Sequence, residues 1–454
     1  MFKRIFVVWI LMMVPIVADD PILFDVNYPW MTDIREYLAW NDSWGSARAV
    51  GMSGAVSALS ENVEGAILNP AALGLMKHTS LDFSLNYRKN QSDFNYNGTD
   101  NSNSINRFSF SSLGMIYIYP VYRGSVVMSF GYQKLKDFTQ SQSFSGYTSG
   151  VQRSQPNLYE ENSEDKRGYL GSLYFSTAVQ VTPNVYLGGT LNFLSGEYNY
   201  NFDIERQDPQ NVYGLMNYIR KFDTQDDLSG FNFVLGGLYT MNDKWRFSMA
   251  FTSPSWIKVD EEIRQYLFAE DLQNYYGWYD NNGNIVWFES EYDYRIQLPM
   301  KVNFGIGYKD NNLAVGLDLN FSDYTQLDYN RDPFEGFNHT RRISKIYQSS
   351  WGMALGAEYF FPESIMFVLG GVQYQTIPYK YGREAYINAT NDLEIASAKG
   401  NDDKLGFSAG FGVVLDKSLR WNLVYQHETY QVGENLLTEK YTFNQFVTGI
   451  TFRF

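Results

Sequence analysis

The segment Gln445-Phe-Val-Thr-Gly-Ile-Thr-Phe-Arg-Phe454 decides the fold class. Successive side chains of a β-strand point to opposite faces. Phe446, Thr448, Ile450, Phe452 and Phe454 therefore share one face, and Gln445, Val447, Gly449, Thr451 and Arg453 the other. The pattern recurs. From Tyr294 to Tyr308 the even positions are all apolar or aromatic, while the odd ones carry Arg295, Gln297, Pro299, Lys301, Asn303, Gly305 and Gly307. A soluble sandwich also alternates, but its inner face is dry. Charged side chains in mid-strand, opposite an apolar face, fit a wall between lipid and a wet lumen. Tyr294 and Tyr308, at the two ends of their apolar face, fit the interfacial girdles of such a wall.

Working outward, fourteen such runs appear, near 80–89, 106–118, 121–134, 168–180, 184–202, 229–241, 244–258, 291–308, 311–325, 346–360, 364–379, 402–415, 418–430 and 441–454. Short connections fall at Pro120, 182–183, 242–243, 310–311, 361–363 and 416–417. Long ones fill 90–105, 135–167, 203–228, 259–290, 326–345, 380–401 and 431–440. Bacterial barrels have short periplasmic turns and long external loops. The rhythm predicts an all-β fold: a 14-stranded antiparallel transmembrane β-barrel over residues 80–454, with its C-terminus on the periplasmic side. Pro299, in mid-strand, predicts a bulge or kink, because a closed barrel has no free edge.

Composition agrees. Aromatic residues make up 17% of the 454-residue chain, and the mean hydropathy of −0.34 excludes a bundle of membrane helices. A barrel reads as polar because only alternate residues meet lipid. The net charge of −14 excludes nucleic acid as a partner, since phosphate binding rests on clustered Lys and Arg. With no cysteine there is neither a disulfide framework nor a thiolate metal site. Lys3 and Arg4, the apolar run Ile5 to Val17 and the small Ala18 predict a signal peptide over 1–18. The expected location is the cell outer membrane of a Gram-negative-type bacterium. There the barrel would stand as a monomer among lipid and lipopolysaccharide.

Residues 19–79 do not alternate. Pro21 to Trp40 is mixed and aromatic, Ser43 to Leu59 is rich in Gly, Ala and Ser, and Asn69-Pro70 marks a turn. Small residues let a short helix approach other backbone closely. The segment is expected to form a small helical and irregular hatch, or plug, inside the lumen; a periplasmic cap is the alternative.

Ser46-Ala-Arg48-Ala-Val-Gly51-Met-Ser-Gly54-Ala, followed by Asn69-Pro70-Ala71 just before the first strand, resembles the FadL/TodX family of outer-membrane transporters. The resemblance implies passive, hatch-gated uptake of small hydrophobic molecules, such as long-chain fatty acids or aromatic and aliphatic hydrocarbons. It implies gating by Gly51, Gly54, Asn69, Pro70 and Ala71. It also implies ligand capture between external loops 203–228 and 259–290. Leu215, Met216 and Tyr218 would face Tyr266, Leu267, Phe268, Tyr275, Tyr276 and Trp278 there. Exposed apolar clusters of that size usually bind something, although two loops sealing the mouth against each other would look alike. A PorV-like barrel that shuttles or anchors a protein in a secretion system is the alternative function, and a general porin the third.

Catalysis is not expected. His78, His339 and His427 show no serine on a shared face, as a hydrolase would need. Glu61 and Glu64 could form an acid pair, but hydrogen bonding within the plug is the simpler reading. No cofactor is implied, and no metal-ligand spacing occurs.

Overall fold

The computed structural model describes residues 45–96, 98–147, 158–211, 215–271, 275–277, 286–330, 347–378, 380, 385–387, 393–395, 402–416, 418–432 and 437–454. The leader expected over 1–18, the stretch 19–40, His339 and Trp278 lie outside them.

Fourteen strands form the wall. They are β1 (Ser80–Tyr96), β2 (Thr99–Tyr119), β3 (Val126–Asp137, continued by Gln140–Tyr147), β4 (Tyr159–Thr182), β5 (Val185–Gln207), β6 (Leu215–Thr240) and β7 (Trp245–Thr252, resuming as Ser255–Asp271). The second half comprises β8 (Phe288–Leu298, resuming as Lys301–Lys309), β9 (Leu313–Asp323, resuming as Asp328–Asn330), β10 (Ser349–Phe360), β11 (Met366–Gln375), β12 (Asp402–Leu415), β13 (Leu419–Val432) and β14 (Leu437–Arg453). Each pairs antiparallel with its sequence neighbours, and β1 closes on β14 with Ser80 opposite Arg453. Closure leaves no free edge, so the ladders bond within the wall, as a lipid setting demands.

The burial pattern is inside-out. On β1 the polar Asp82, Ser84, Asn86 and Arg88 are buried, whereas Leu81, Phe83 and Tyr87 are exposed. On β14 Gln445 and Thr451 are buried while Phe446 and Phe452, and Phe454 just after the strand, are exposed. Leu173, Phe175, Leu191, Phe193, Leu235, Met249, Phe304 and Phe407 extend the exposed apolar belt around the barrel. Among the described residues, no helix is long and apolar enough to cross a membrane.

Three of the expected long loops are largely strand among the described residues. Residues 90–105 continue β1 and β2 up to a hairpin that pairs Tyr96 with Thr99. Most of 203–228 and 259–271 continues β5, β6 and β7, which pair up to Arg206 opposite Tyr218 and Leu215 opposite Asp271. Beyond the lipid such strands need no apolar stripe, so the signal that betrays them below is missing. At 26 residues, and with about 3.3 Å rise per residue and ~40° tilt, β6 reaches roughly 65 Å against a lipid band of about 25 Å.

Prolines do more than kink the wall. Thr252 lies opposite Lys301 and Ser255 opposite Leu298, which sets Pro254 beside Pro299. Neither proline can donate to the ladder, and both strands stop there. Ser253 stitches the gap: its N–H donates to the Phe233 carbonyl at 2.9 Å, and its hydroxyl accepts from the Phe233 N–H at 3.0 Å. Side-chain parity inverts across the break. On the short-turn side Phe304 and Ile306 face lipid. On the long-turn side the even positions Tyr294, Ile296 and Leu298 are buried inside, so Tyr294 is not a girdle residue. Arg295 and Asp293 now face water, as do Lys258, Asp260 and Glu262 on β7.

Because the chain has no cysteine, single substitutions test this inversion cleanly. Asp293→Cys and Arg295→Cys should react with a membrane-impermeant maleimide on whole cells, and Ile296→Cys and Phe304→Cys should not. Labelling at 296 instead of 295 would mean that parity continues through the proline pair.

Candidate functional site

Residues 45–76 fill the short-turn half of the lumen. Ser46 caps the first short helix, α1 (Ala47–Gly51), its hydroxyl accepting from the Ala49 N–H. Ser53 (φ 52°) and Gly54 (φ 86°) turn the chain out of it in the left-handed region. A second short helix, α2 (Gly65–Leu68), runs into a 3-10 turn over Pro70–Leu75. Asn69 caps that turn through its side chain, and Pro70 takes the first position, where its missing N–H is harmless. Ala47, Val50, Met52, Ala55, Val56, Leu59, Val63, Ala66, Ala71 and Leu73 are all buried.

The plug touches the wall through backbone, which is possible only where the wall lacks side chains. Gly307, Gly316, Gly356 and Gly371 form a row across β8, β9, β10 and β11, each directly opposite the next. A Cβ on any of them would strike Leu59, Ala55 or Met52. Gly188 and Gly236, opposite each other on β5 and β6, receive the Asn69-Pro70-Ala71 turn in the same way. Within the plug, a Cβ at Gly51 would come within 2.9 Å of Val424. Gly305 and Gly307, on the strand face expected to line a wet lumen, belong instead to the seat of a close-fitting plug.

Polar bonds then fasten the plug right round the wall. Ser111 of β2 donates to the Gly45 carbonyl at 3.0 Å, and Ser408 of β12 donates to that of Gly51 at 2.8 Å. Asn69 Nδ2 donates to the Gly237 carbonyl of β6 at 3.2 Å. The Ser57 hydroxyl meets Ser248 of β7 and Asp318 of β9, both at 2.8 Å.

The strongest tie is ionic. Arg48, 1% exposed, reaches Glu64 of the plug at 3.3 Å and Glu358 of β10 at 3.1 Å. Arg420 of β13 pairs with the other oxygen of Glu358. Burial pulls the Arg48 guanidinium down, but Glu358 and Glu64 more than offset this and hold it above its ordinary value. Burial pushes the Glu64 carboxyl up against the pull of Arg48 and the Ser46 hydroxyl. Glu61 pairs with Lys309 instead, so Glu61 and Glu64 do not form an acid pair. The sequence named Arg48 only as part of a motif, and missed Glu358 and Arg420. The available signal was charge at inward parity among Ala and Gly, as in Ala354, Gly356 and Glu358.

Above the plug a polar layer links Ser172, Asn192, Asn232 and Ser255 across β4 to β7, at 3.1, 2.8 and 2.7 Å. Beyond it the inward side chains become apolar. Leu194, Tyr198, Tyr200, Phe202, Tyr218, Phe222, Ile257, Val259, Tyr294 and Ile296 pack into one buried cluster. Of the residues expected to capture ligand, Tyr218 belongs to this cluster and Leu267 packs against it. Leu215, Met216 and Tyr218 lie on β6, and Tyr266, Leu267 and Phe268 on the adjacent β7, so they share one wall instead of facing across a mouth. Tyr275 and Tyr276 lie in a short strand that pairs with 268–270. His427 faces outward, bonded to Asn444 at 2.8 Å and packed on Phe407, away from the lumen.

This architecture, a plugged barrel of fourteen strands, is matched by a family model over residues 42–445. The chain belongs to the BamG family. No curated protein matches it. Solved structures similar to this BamG-family chain include the Pseudomonas putida toluene transporter TodX. The two share 13% identity at a TM-score of 0.60, over 91% of this chain and 99% of that one. A Pseudomonas aeruginosa FadL homologue shares 11% identity at a TM-score of 0.59, over 91% and 99%. The Ralstonia pickettii toluene transporter TbuX shares 15% at 0.54, over 91% and 99%. At these identities the likeness establishes the fold, and the FadL/TodX resemblance read from the sequence holds at that level.

Proposed function

We propose that this BamG-family barrel carries small hydrophobic molecules across an outer membrane by hatch-gated passive diffusion. The observation that carries the reading is the apolar, aromatic cluster inside the wall, directly above a plug whose ties to that wall are polar. Such an apolar lining can hold an apolar ligand through burial, at about 25 cal/mol per Å². Polar ties can exchange with water when the plug shifts. The similar solved structures are toluene transporters and a FadL homologue, in keeping with fatty acids and hydrocarbons as the substrate range. The gating residues of this reading are Gly51, Asn69, Pro70 and Ala71, through the close contacts described above, and Gly54, through the left-handed turn it makes. Proteoliposomes should take up a fluorescent fatty acid or an arene faster than liposomes holding the same protein with its plug cross-linked to the wall. Equal rates would end the transport reading.

One observation favours a second reading, a barrel that binds protein. β4, β5 and β6 run 24, 23 and 26 residues. Above the apolar belt they carry polar outward side chains such as Glu161, Glu197, Asp203, Glu205 and Asp227. A protein that co-purifies in fixed ratio and is lost when this projecting wall is trimmed would support it.

A further inference from the structure

We propose that the outer face of β5 to β8, just above the apolar belt, docks a zwitterionic lipid headgroup of the phosphoethanolamine type. Lys258 and Arg295 take its phosphate, and Asp227 and Asp260 its ammonium group. The site concerns how the barrel sits in its membrane and does not depend on what crosses the lumen.

The ladder registers stack three outward rows, counted away from the short-turn end. The first is apolar. Leu173, Phe193, Phe231 and Trp256 lie each opposite the next across β4 to β7. All four are exposed, and the Phe231 and Trp256 rings are 5.1 Å apart. Two residues farther along each strand the second row carries cations, with Lys258 directly opposite Arg295. Two residues beyond it the third row carries acids, Glu197 opposite Asp227 and Asp227 opposite Asp260. All five charged side chains are exposed, while Ile257, Val259 and Ile296 between them are buried inside.

Each charged row is unfavourable by itself, because like charges directly opposite one another destabilise a sheet. A partner that brings a negative group to the second row and a positive group to the third relieves both. Each step of two residues rises about 5 Å, at ~3.3 Å per residue and ~40° tilt. The cations therefore stand just past an aromatic row of the kind that marks a membrane interface, where lipid phosphates lie, and the acids one step farther out. The ethylene link of phosphoethanolamine sets its ammonium group beyond its phosphate in the same order. Lys258 bonds Asp260 at 2.6 Å, but an exposed pair of this kind contributes little and exchanges with a headgroup. A phosphate without an ammonium group meets only repulsion from the third row. A metal ion fits no better, since among the described residues no group of three or more acidic or histidine side chains is placed to hold one.

Native mass spectrometry of the full chain tests this, after exchange into an equimolar mixture of phosphatidylethanolamine and phosphatidylglycerol with identical acyl chains. The wild-type protein should retain the first over the second about fivefold, the scale of one exposed ion pair. Asp227→Asn with Asp260→Asn should bring phosphatidylethanolamine down to the level of phosphatidylglycerol. Lys258→Gln with Arg295→Gln should lower both. Glu161→Gln with Glu205→Gln, an opposed pair farther up the same wall, should change neither. Heat-modifiable migration on gels shows that each variant is folded. Equal retention by the wild-type barrel, or a preference that survives the Asp227 and Asp260 substitutions, would overturn the site. So would loss of the preference in the Glu161 and Glu205 variant, which would make it a general effect of negative charge. A co-purifying protein that shields this face, with neither lipid retained, would assign the face to a protein partner and overturn the lipid site as well.

Discussion

Glu358→Ala should release the plug. In the native barrel one carboxylate, 2% exposed, holds two guanidiniums, Arg48 from the plug and Arg420 from β13. Truncating it leaves Arg420 buried without its acid and Arg48 with Glu64 alone. Breaking a buried pair by removing one partner costs about 3–5 kcal/mol, because the surviving charge has no water to retreat to. The barrel does not have to unfold to relieve this. Its wall is held by closed ladders that do not involve residues 45–76, so the relief available is for the plug to move and admit water. Planar-bilayer recordings should therefore show a rise from near-silent to porin-like conductance. Trypsin should cut at Arg48, which the native fold shields. Glu358→Gln keeps an acceptor and should produce a smaller effect in the same direction. Silent bilayers and an unchanged digestion pattern for Glu358→Ala would mean that this cluster does not fasten the plug.

How much of this was legible in the sequence depends on where each residue sits relative to lipid. Strands such as 184–202 and 418–430 were readable because lipid on one face and a polar interior on the other write period two into the chain. The same strands vanished from view beyond the membrane. Residues 90–105 read as a loop rich in Asn, Ser and Asp, yet they pair strand to strand up to a hairpin. Pro299 announced a break. That it inverts parity could not be read, because Tyr294, Ile296 and Leu298 are as apolar facing the interior as facing lipid. The small-residue plug was visible, and so was its Asn69-Pro70-Ala71 turn. Its partners were not: Arg48 and Glu358 are 310 positions apart, and only closure of the wall brings them together.

The inward glycines are the most exacting part of that complementarity, and they set up the second large effect. Gly188→Val should unseat the Asn69-Pro70-Ala71 end of the plug. A Cβ at 188 would sit 2.7 Å from the Pro70 carbonyl oxygen, and one at the facing Gly236 would sit 2.9 Å from Pro70 Cδ and 3.0 Å from the Ala71 nitrogen. These neighbours are backbone and ring atoms, which cannot swing aside as a flexible side chain can. The turn cannot back away either. Asn69 is tied to the carbonyls of Ser57 and Gly237, and Ala71 is packed in a buried cluster with Ala58, Ala72, Tyr186 and Leu238. Overpacking a close-fitting core typically costs about 1–3 kcal/mol, and rigid backbone on one side places this case at the upper end. The adjacent residue supplies the control. Gly189 faces outward, and a Cβ there meets nothing nearer than 3.8 Å, so Gly189→Val should leave conductance and heat stability unchanged. Gly188→Val should leak in planar bilayers and lose the compact, heat-modifiable band at a lower temperature. Equal behaviour of the two variants would place the sensitivity in the strand itself and remove the glycine seat from the account.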